Sequence, residues 1–340
     1  MIVGKQFIGR KIRKDMATGW APDELTDWEI YDGESYHRAL YRDGDLRSPV
    51  SWHKHSVEEL VDLALPHIND GSIVVDYGTG TGGSAIELLK KTDSRGISIQ
   101  LILIDPLRSW FGKAREILGE RDDVHFELSV EEKGSGGFSF KGMQEMMGGR
   151  KADVILSSST LHLVPMKAID DLVKQFAGSL SPTGLVVWNS GDLECGFRPL
   201  DAARLHDPYR IVRNILREDE ARTRMMAELS KSHGNRTEKR LDRIFPIPFP
   251  IEVITEAFSG AGFSNEISEK IVHFSNEDAE NFILVPRLAE IAAPLMEGDD
   301  RDTAIKKSLE IALSHIKNQG LGSETGYRSH WVYGLHKKEN

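Results

Sequence analysis

The sequence predicts an α/β fold: a mostly parallel sheet of seven strands, helices on both faces, and a helical cap formed by the N-terminal segment and insertions. Three observations carry this reading. Between Ser72 and Asn189 short apolar runs alternate with amphipathic stretches, the pattern of strands buried on both faces and joined by crossover helices. The first run, "SIVVDY", leads straight into "GTGTGG", whose alternating glycines make a tight strand-to-helix turn. The rhythm then resumes at "PIEVITEAFSGAGF", after a charged interruption at about 195–245 that has helix-like patterning.

Taken in order, residues 1–54 are polar and rich in aromatics: Trp20, Trp28, Tyr31, Tyr36, Tyr41 and Trp52. The opening "MIVGKQFIGRKIRKDMATGW" is basic and lacks the continuous apolar core of a secretory signal. "HSVEELVDLALPHI" has helical spacing, with Val57, Leu60, Val61 and Ala64 on one side. Ser56 with Glu59 reads as a capping box at its start, and Pro66 as its end. "SIVVDY" is a buried strand and "GSAIELLKK" opens a helix. "SIQLILID" is the second strand, "SWFGKAREILG" the second helix and "DVHFELS" the third strand. "EKGSGGFSFKGMQEMMGG" reads as a loop with a short helix. "ADVILSSS" is the fourth strand and "MKAIDDLVKQFAGSL" its helix. Ser181-Pro182-Thr183-Gly184 reads as a turn before the fifth strand, "LVVWN". "SNEISEKIVHF" is the sixth strand. A second helical insertion, 276–320, precedes the seventh, "YRSHWVYGLHKK". A lid segment at 1–54 and one domain at 55–340 fit this organisation better than two independent domains.

Composition narrows the function. The formal net charge of -10 over 340 residues argues against a broad phosphate-binding surface, because non-specific nucleic-acid affinity comes from clustered Lys and Arg. The single cysteine, Cys195, excludes an internal disulfide and fits a reducing, cytoplasmic compartment. No apolar run approaches the roughly 18 residues of a membrane span.

The glycine loop carries the chemistry. Open parallel sheets bind ligands beyond the carboxyl ends of their strands, at the switch point. "VVDYGTGTGG" lies there, and Asp105 ends the neighbouring strand. A carboxylate at that place commonly accepts two ribose hydroxyls. The spacing G-x-G-x-x-G on its own allows a nicotinamide or an adenosyl cofactor. Asp76 separates them: a negative charge just ahead of the loop repels a pyrophosphate and suits an ammonium group.

At these residues the chain resembles the class I S-adenosylmethionine-dependent methyltransferases, whose first motif has an acid, one residue, then alternating glycines. Asp76, Gly78, Gly80 and Gly82 match it. Asp105 matches the acid ending the second strand, "ADVILSSSTLHLV" the fourth-strand motif from Asp153 to Leu161-His162, and "LSPTGLVVW" the fifth. "AFSGAGF" resembles the helix end before the sixth strand. The resemblance covers about residues 55–190 and 250–336 and implies a Rossmann-like sheet. It implies that Asp76, Gly78, Thr79, Gly80, Gly82, Asp105, Pro106, Ser129, Val130 and Ser157 contact S-adenosylmethionine. One departure stands out. Leu128-Ser129-Val130-Glu131 displaces the acid that many relatives place after the third strand.

Beyond the cofactor, the expectation is methyl transfer to O, N or C of a small-molecule acceptor. His162 is the candidate general base, weighed against a packed histidine. Asn189, Asp192 and Glu194, just past the fifth strand, are the acceptor-side candidates. His53 and His55 in "WHKH" lack companion ligands nearby, so no metal is expected. Cys195 reads as a structural thiol, and "REDEARTR" at 217–224 as a solvated helix face. A homodimer is compatible with the sequence. The rivals are a protein or RNA methyltransferase, an NAD-dependent oxidoreductase and a non-catalytic S-adenosylmethionine-binding module.

Overall fold

The computed structural model describes residues 16–41, 52–133, 137–218, 246–294 and 296–339. The basic arm at 1–15 and residues 219–224 of the charged run lie outside them. The strands in chain order are β1 (Thr18–Gly19), β2 (Ser72–Tyr77), β3 (Ile99–Asp105), β4 (Val124–Leu128), β5 (Val130–Lys133), β6 (Gly137–Phe140), β7 (Ala152–Ser158), β8 (Leu180–Ser190), β9 (Glu266–Ser275) and β10 (Gly326–Lys337). Among the described residues the main sheet has eight strands in the order β1-β4-β3-β2-β7-β8-β10-β9, with β5 and β6 forming a separate hairpin. The strands from β1 to β8 run parallel, and β10 is antiparallel to both β8 and β9. The order reverses between β2 and β7, so the glycine loop after β2 sits at the switch point.

Strand residues alternate between two cores, as a period of two requires. Val74, Leu101, Leu103, Phe126, Val154 and Leu156 face one apolar layer. Val75, Ile102, Ile104, Ile155 and Val186 face the other. The helices that fill these layers are α1 (Asp27–Leu40), α2 (Trp52–Ala64), α3 (Gly83–Ser94), α4 (Arg108–Leu118), α5 (Met143–Met146), α6 (Ile169–Ser179), α7 (Asp207–Glu218), α8 (Glu252–Gly260), α9 (Asn276–Ile283), α10 (Pro286–Ala292) and α11 (Gly298–Asn318). None is long and apolar enough to cross a membrane.

Four local expectations change. Ser56 is inside α2, and its hydroxyl donates to the carbonyl of His53 at 2.8 Å; the helix starts earlier, at Trp52, so no capping box forms there. The run 181–184 does not break the chain: β8 passes through it, with a register shift against β7 between Ala152 and Val154. The glycine-rich stretch after β4 holds the β5–β6 hairpin besides the short helix α5. The eighth strand is β1, two residues of the N-terminal segment added to the edge beside β4; it is too short to leave an apolar alternation.

The N-terminal segment is fastened across the sheet's carboxyl end. A capping box of Thr26 and Glu29 starts α1. Asp32 on α1 is fully buried. Its carboxylate accepts from the Ser109 hydroxyl of α4 at 2.6 Å, and from the backbone N–H and Nε of Arg287 on α10 at 3.0 and 3.2 Å. One carboxylate thus ties three helices. Trp52 continues the attachment: it is 2% exposed and its indole N–H donates to the carbonyl of Ala39 at 3.2 Å.

Removing one partner of a buried ion pair strands the other. Asp32→Ala should lower the unfolding free energy by about 3 kcal/mol, read from urea denaturation. A loss below about 1 kcal/mol would show that α1 is not anchored through Asp32.

Candidate active site

The loop between β2 and α3 owes its shape to two buried carboxylates. Asp76, the penultimate residue of β2, has no exposed surface. Its Oδ2 accepts from the hydroxyls of Thr79 at 2.6 Å and Ser84 at 2.7 Å, which pins the loop onto the first turn of α3. Burial raises its pKa, and those two hydroxyls act against the rise. Asp105, the last residue of β3, accepts from the backbone N–H of Gly80 at 2.8 Å through Oδ2 and of Leu107 at 2.7 Å through Oδ1. Burial pushes its pKa up to about 6, against the lowering effect of these two hydrogen bonds. Between the carboxylates the backbone turns back at Gly78, with φ of 77°. A Cβ there would lie 2.2 Å from Thr160 Oγ1, so only glycine lets the β2 and β7 loops meet.

A cavity of about 520 Å³ opens over this loop. Its walls come from the glycine loop (Gly78 to Thr81, with Gly83 and Ser84), from Asp105, Pro106, Leu107 and Trp110, and from Ser129. Tyr36, Leu40 and His53 close it from α1 and α2, and Phe140, Lys141 and Met146 from the hairpin side. The far wall is Ser158, Ser159, Thr160, the segment leading into α6 with Leu163, Val164 and Ala168, and Leu172 of α6 itself. Tyr36 stacks on Trp110 with ring centroids 3.6 Å apart and planes 2° from parallel.

The structure sorts the sequence candidates. Gly78, Thr79, Gly80, Asp105, Pro106 and Ser129 line the cavity. Gly82, Val130 and Ser157 stand behind the wall; Ser157 is fully buried and donates to the carbonyl of Tyr77 at 3.1 Å. Asp76 also stands behind it, because its carboxylate turns inward to Thr79 and Ser84 rather than toward a ligand. Asn189 is buried: its amide donates to the carbonyl of Ser56 at 2.9 Å, and its Oδ1 accepts from the Ser158 hydroxyl and the Ser159 N–H at 3.1 and 3.0 Å. This grip holds Ser159 at φ of 52°, a strained conformation for serine. Glu194 is half exposed and faces Arg204 at 3.5 Å.

His162 and Asp192 belong to a separate buried network, off the cavity wall. His162 Nδ1 lies 3.0 Å from the Ser190 hydroxyl. Burial drives its pKa down to about 3, despite the opposing charge of Asp192. Asp192 pairs with His206 at 3.1 Å and with Arg210. Burial alone would raise its pKa, but His206 and Arg210 outweigh that and hold it below the usual carboxylate range. His162, Asp192 and His206 bring potential ligand atoms within 4.8 Å of one another. Arg210 already supplies the cation that Asp192 needs, with Nη1 at 3.0 Å, so the cluster reads as a structural ion network. Of the two histidines in "WHKH", His55 is exposed and His53 buried, since residues two apart on a helix face different ways.

Sequence reasoning did not single out Trp110 and Thr160 as wall residues, and weighed His53 only as a metal ligand. Trp110 follows the Asp105-Pro106 motif by one helical turn, which was a usable sign. Thr160 and His53 owe their places to contacts between distant segments.

Comparison with known proteins agrees with this geometry. A methyltransferase-domain family matches residues 50–229, and the chain belongs to that family. No curated protein is similar to it in sequence. Among solved structures, the cyclopropane synthase MmaA2 from Mycobacterium tuberculosis superposes with a TM-score of 0.50 at 14% identity, covering 93% of this chain and 100% of that one. A sarcosine dimethylglycine methyltransferase candidate from Galdieria sulphuraria superposes with a TM-score of 0.50 at 12% identity, covering 91% and 98%. These likenesses show the fold. The chain is an S-adenosylmethionine-dependent methyltransferase of the class I fold, and its cavity fits that cofactor. A carboxylate has about four acceptor sites; Asp105 spends two on the backbone and keeps two for vicinal hydroxyls. Among the described residues that line the cavity there is no Arg.

Asp105 also sets a pH dependence. Its folded pKa lies above the ordinary 3.8, so its stabilising contribution is full below about pH 4 and is lost as pH rises through about 6. Asp105→Asn should flatten that part of the free protein's stability profile, and because an amide can replace only one of the two accepting oxygens it should also cost about 1–3 kcal/mol at low pH, where Asp105 is protonated. Urea melts across this range read it. An unchanged profile would show that Asp105 ionises freely.

Proposed function

We propose that the enzyme methylates a small acceptor with an apolar body, inside the cavity described above. The supporting observation is the cavity itself: a pocket within the roughly 300–1,000 Å³ of small-molecule sites, walled by Leu163, Val164, Ala168, Leu172, Met146 and Phe140, with Lys141 and Thr160 as polar points. The formal charge of -10 disfavours a polyanionic acceptor.

S-adenosylmethionine supplies a methyl group already activated by the sulfonium, so the chain's work is alignment and exclusion of water. Asp105 is the ribose ligand in this reading. The glycine loop permits the close approach of the backbone, and the Tyr36–Trp110 stack covers it from α1 and α4. Asn189, by holding Ser158 and Ser159, positions the wall toward the acceptor. Asp76 serves the cofactor through the loop it braces. A general base is not assigned to His162, which lies off the wall and is fully enclosed.

Labelled S-adenosylmethionine offered with small amphipathic alcohols and amines, total RNA and unfolded protein tests the reading. Label is expected in the small acceptors alone; label in RNA or protein would overturn it. In the same assay Asp105→Ala should weaken cofactor binding by about 2–3 kcal/mol. Leu163→Asp should raise the acceptor KM about tenfold, with the cofactor dissociation constant unchanged.

A further inference from the structure

The β5–β6 hairpin stands apart from the main sheet and presents one apolar face. Phe138 and Phe140 are two apart on β6, so both rings lie on the same side, and Val130 is the cross-strand neighbour of Phe140 on that side. The two rings are 66% and 75% exposed. Apolar side chains grouped at a surface mark a binding groove or an interface, and a ring held in water forgoes the gain of its burial.

The position of the hairpin says what covers it. Phe140 is itself part of the cavity wall, as are Met146 and Leu163. Leu163 is 41% exposed, and Met166, three residues on in the segment leading into α6, is 56% exposed. The apolar lining therefore continues past the cavity mouth onto the surface of both segments. The hairpin is fixed at its base: the Lys141 N–H donates to the Ser129 carbonyl at 2.9 Å, and the Ser129 N–H to the Asp105 carbonyl at 3.0 Å. The Met143 N–H donates to Gln175 Oε1 at 3.1 Å and ties the start of α5 to α6. A chain of methylenes fits such a surface, because it needs no polar partner and leaves the cavity by covering Phe140 and then Phe138.

We propose that the acceptor is a long-chain amphiphile, with its polar end inside the cavity and its alkyl tail leaving over Phe140 and Phe138. This deepens the small-acceptor reading and rests on it. The test is calorimetry on the protein saturated with S-adenosylhomocysteine, using straight-chain primary alcohols from hexyl to decyl below their solubility limits. Affinity should rise about two- to fourfold per added methylene. Phe138→Ser should weaken decyl alcohol about tenfold and leave hexyl alcohol and S-adenosylhomocysteine within about twofold. Phe138→Leu, which keeps an apolar side chain, should recover most of the loss. No slope with chain length, or equal losses for hexyl and decyl alcohol, would overturn the tail groove and leave the small-acceptor reading standing. A dimer in size-exclusion chromatography that Phe138→Ser splits would give the face to a second copy of this chain and overturn the proposal. So would phosphatidylcholine vesicles that capture the unaltered protein but not Phe138→Ser, since the face would then belong to a membrane contact. Label confined to RNA or protein in the assay above would overturn the small-acceptor reading and the groove with it.

Discussion

The hydrogen bond from Gly80 N–H to Asp105 is the contact on which the site depends. It joins the end of β3 to the loop leaving β2, across the switch point of the sheet. The same carboxylate holds the turn into α4 through Leu107. One buried acid thereby sets the distance between two strands' exits, and that distance is the floor of the cavity. Burial of a carboxylate disfavours its charge. The structure retains it with two backbone donors, a cost that a packed apolar residue would avoid and that a ligand-binding group has reason to bear.

The cover is built on the same principle, with buried polar groups crossing between segments far apart in sequence. Asp32 joins α1 to α4 and α10, and Asn189 joins the β7 exit to α2. Asp32 lies among helices, and Asn189 lies where the end of β8 meets the β7 exit and α2. The N-terminal helices α1 and α2 are therefore walls with specified positions, and Tyr36, Leu40 and His53 enter the cavity at fixed places. Coupling between cover and floor follows from this: Tyr36 rests on Trp110, one turn beyond the Asp105 motif.

Much of the architecture was legible because parallel strands buried on both faces leave continuous apolar runs. "SIVVDY", "SIQLILID" and "ADVILSSS" each became a strand at nearly the same bounds. The glycine loop and Asp105 were legible because backbone turns and strand-end acids are local features. The direction of a side chain is not local. Asp76 reads as an acid facing a ligand, yet Thr79 and Ser84 draw its carboxylate inward. His162 and Asp192 follow strand ends as acceptor-side groups would, yet Ser190, His206 and Arg210 enclose them in a network whose members are 48 residues apart in sequence from His162 to Arg210. His53 and His55 are two apart in one motif, yet only His53 is buried and lines the cavity.

The central claim is that one continuous cavity runs from Asp105 along the glycine loop and holds the cofactor. A crystal structure of the complex with S-adenosylhomocysteine tests it most directly. The account predicts the ribose hydroxyls on the Asp105 carboxylate, the base between Pro106 and Ser129, and the amino-acid end reaching Gly83. Ligand density elsewhere on the molecule, or a ribose turned away from Asp105, would contradict it.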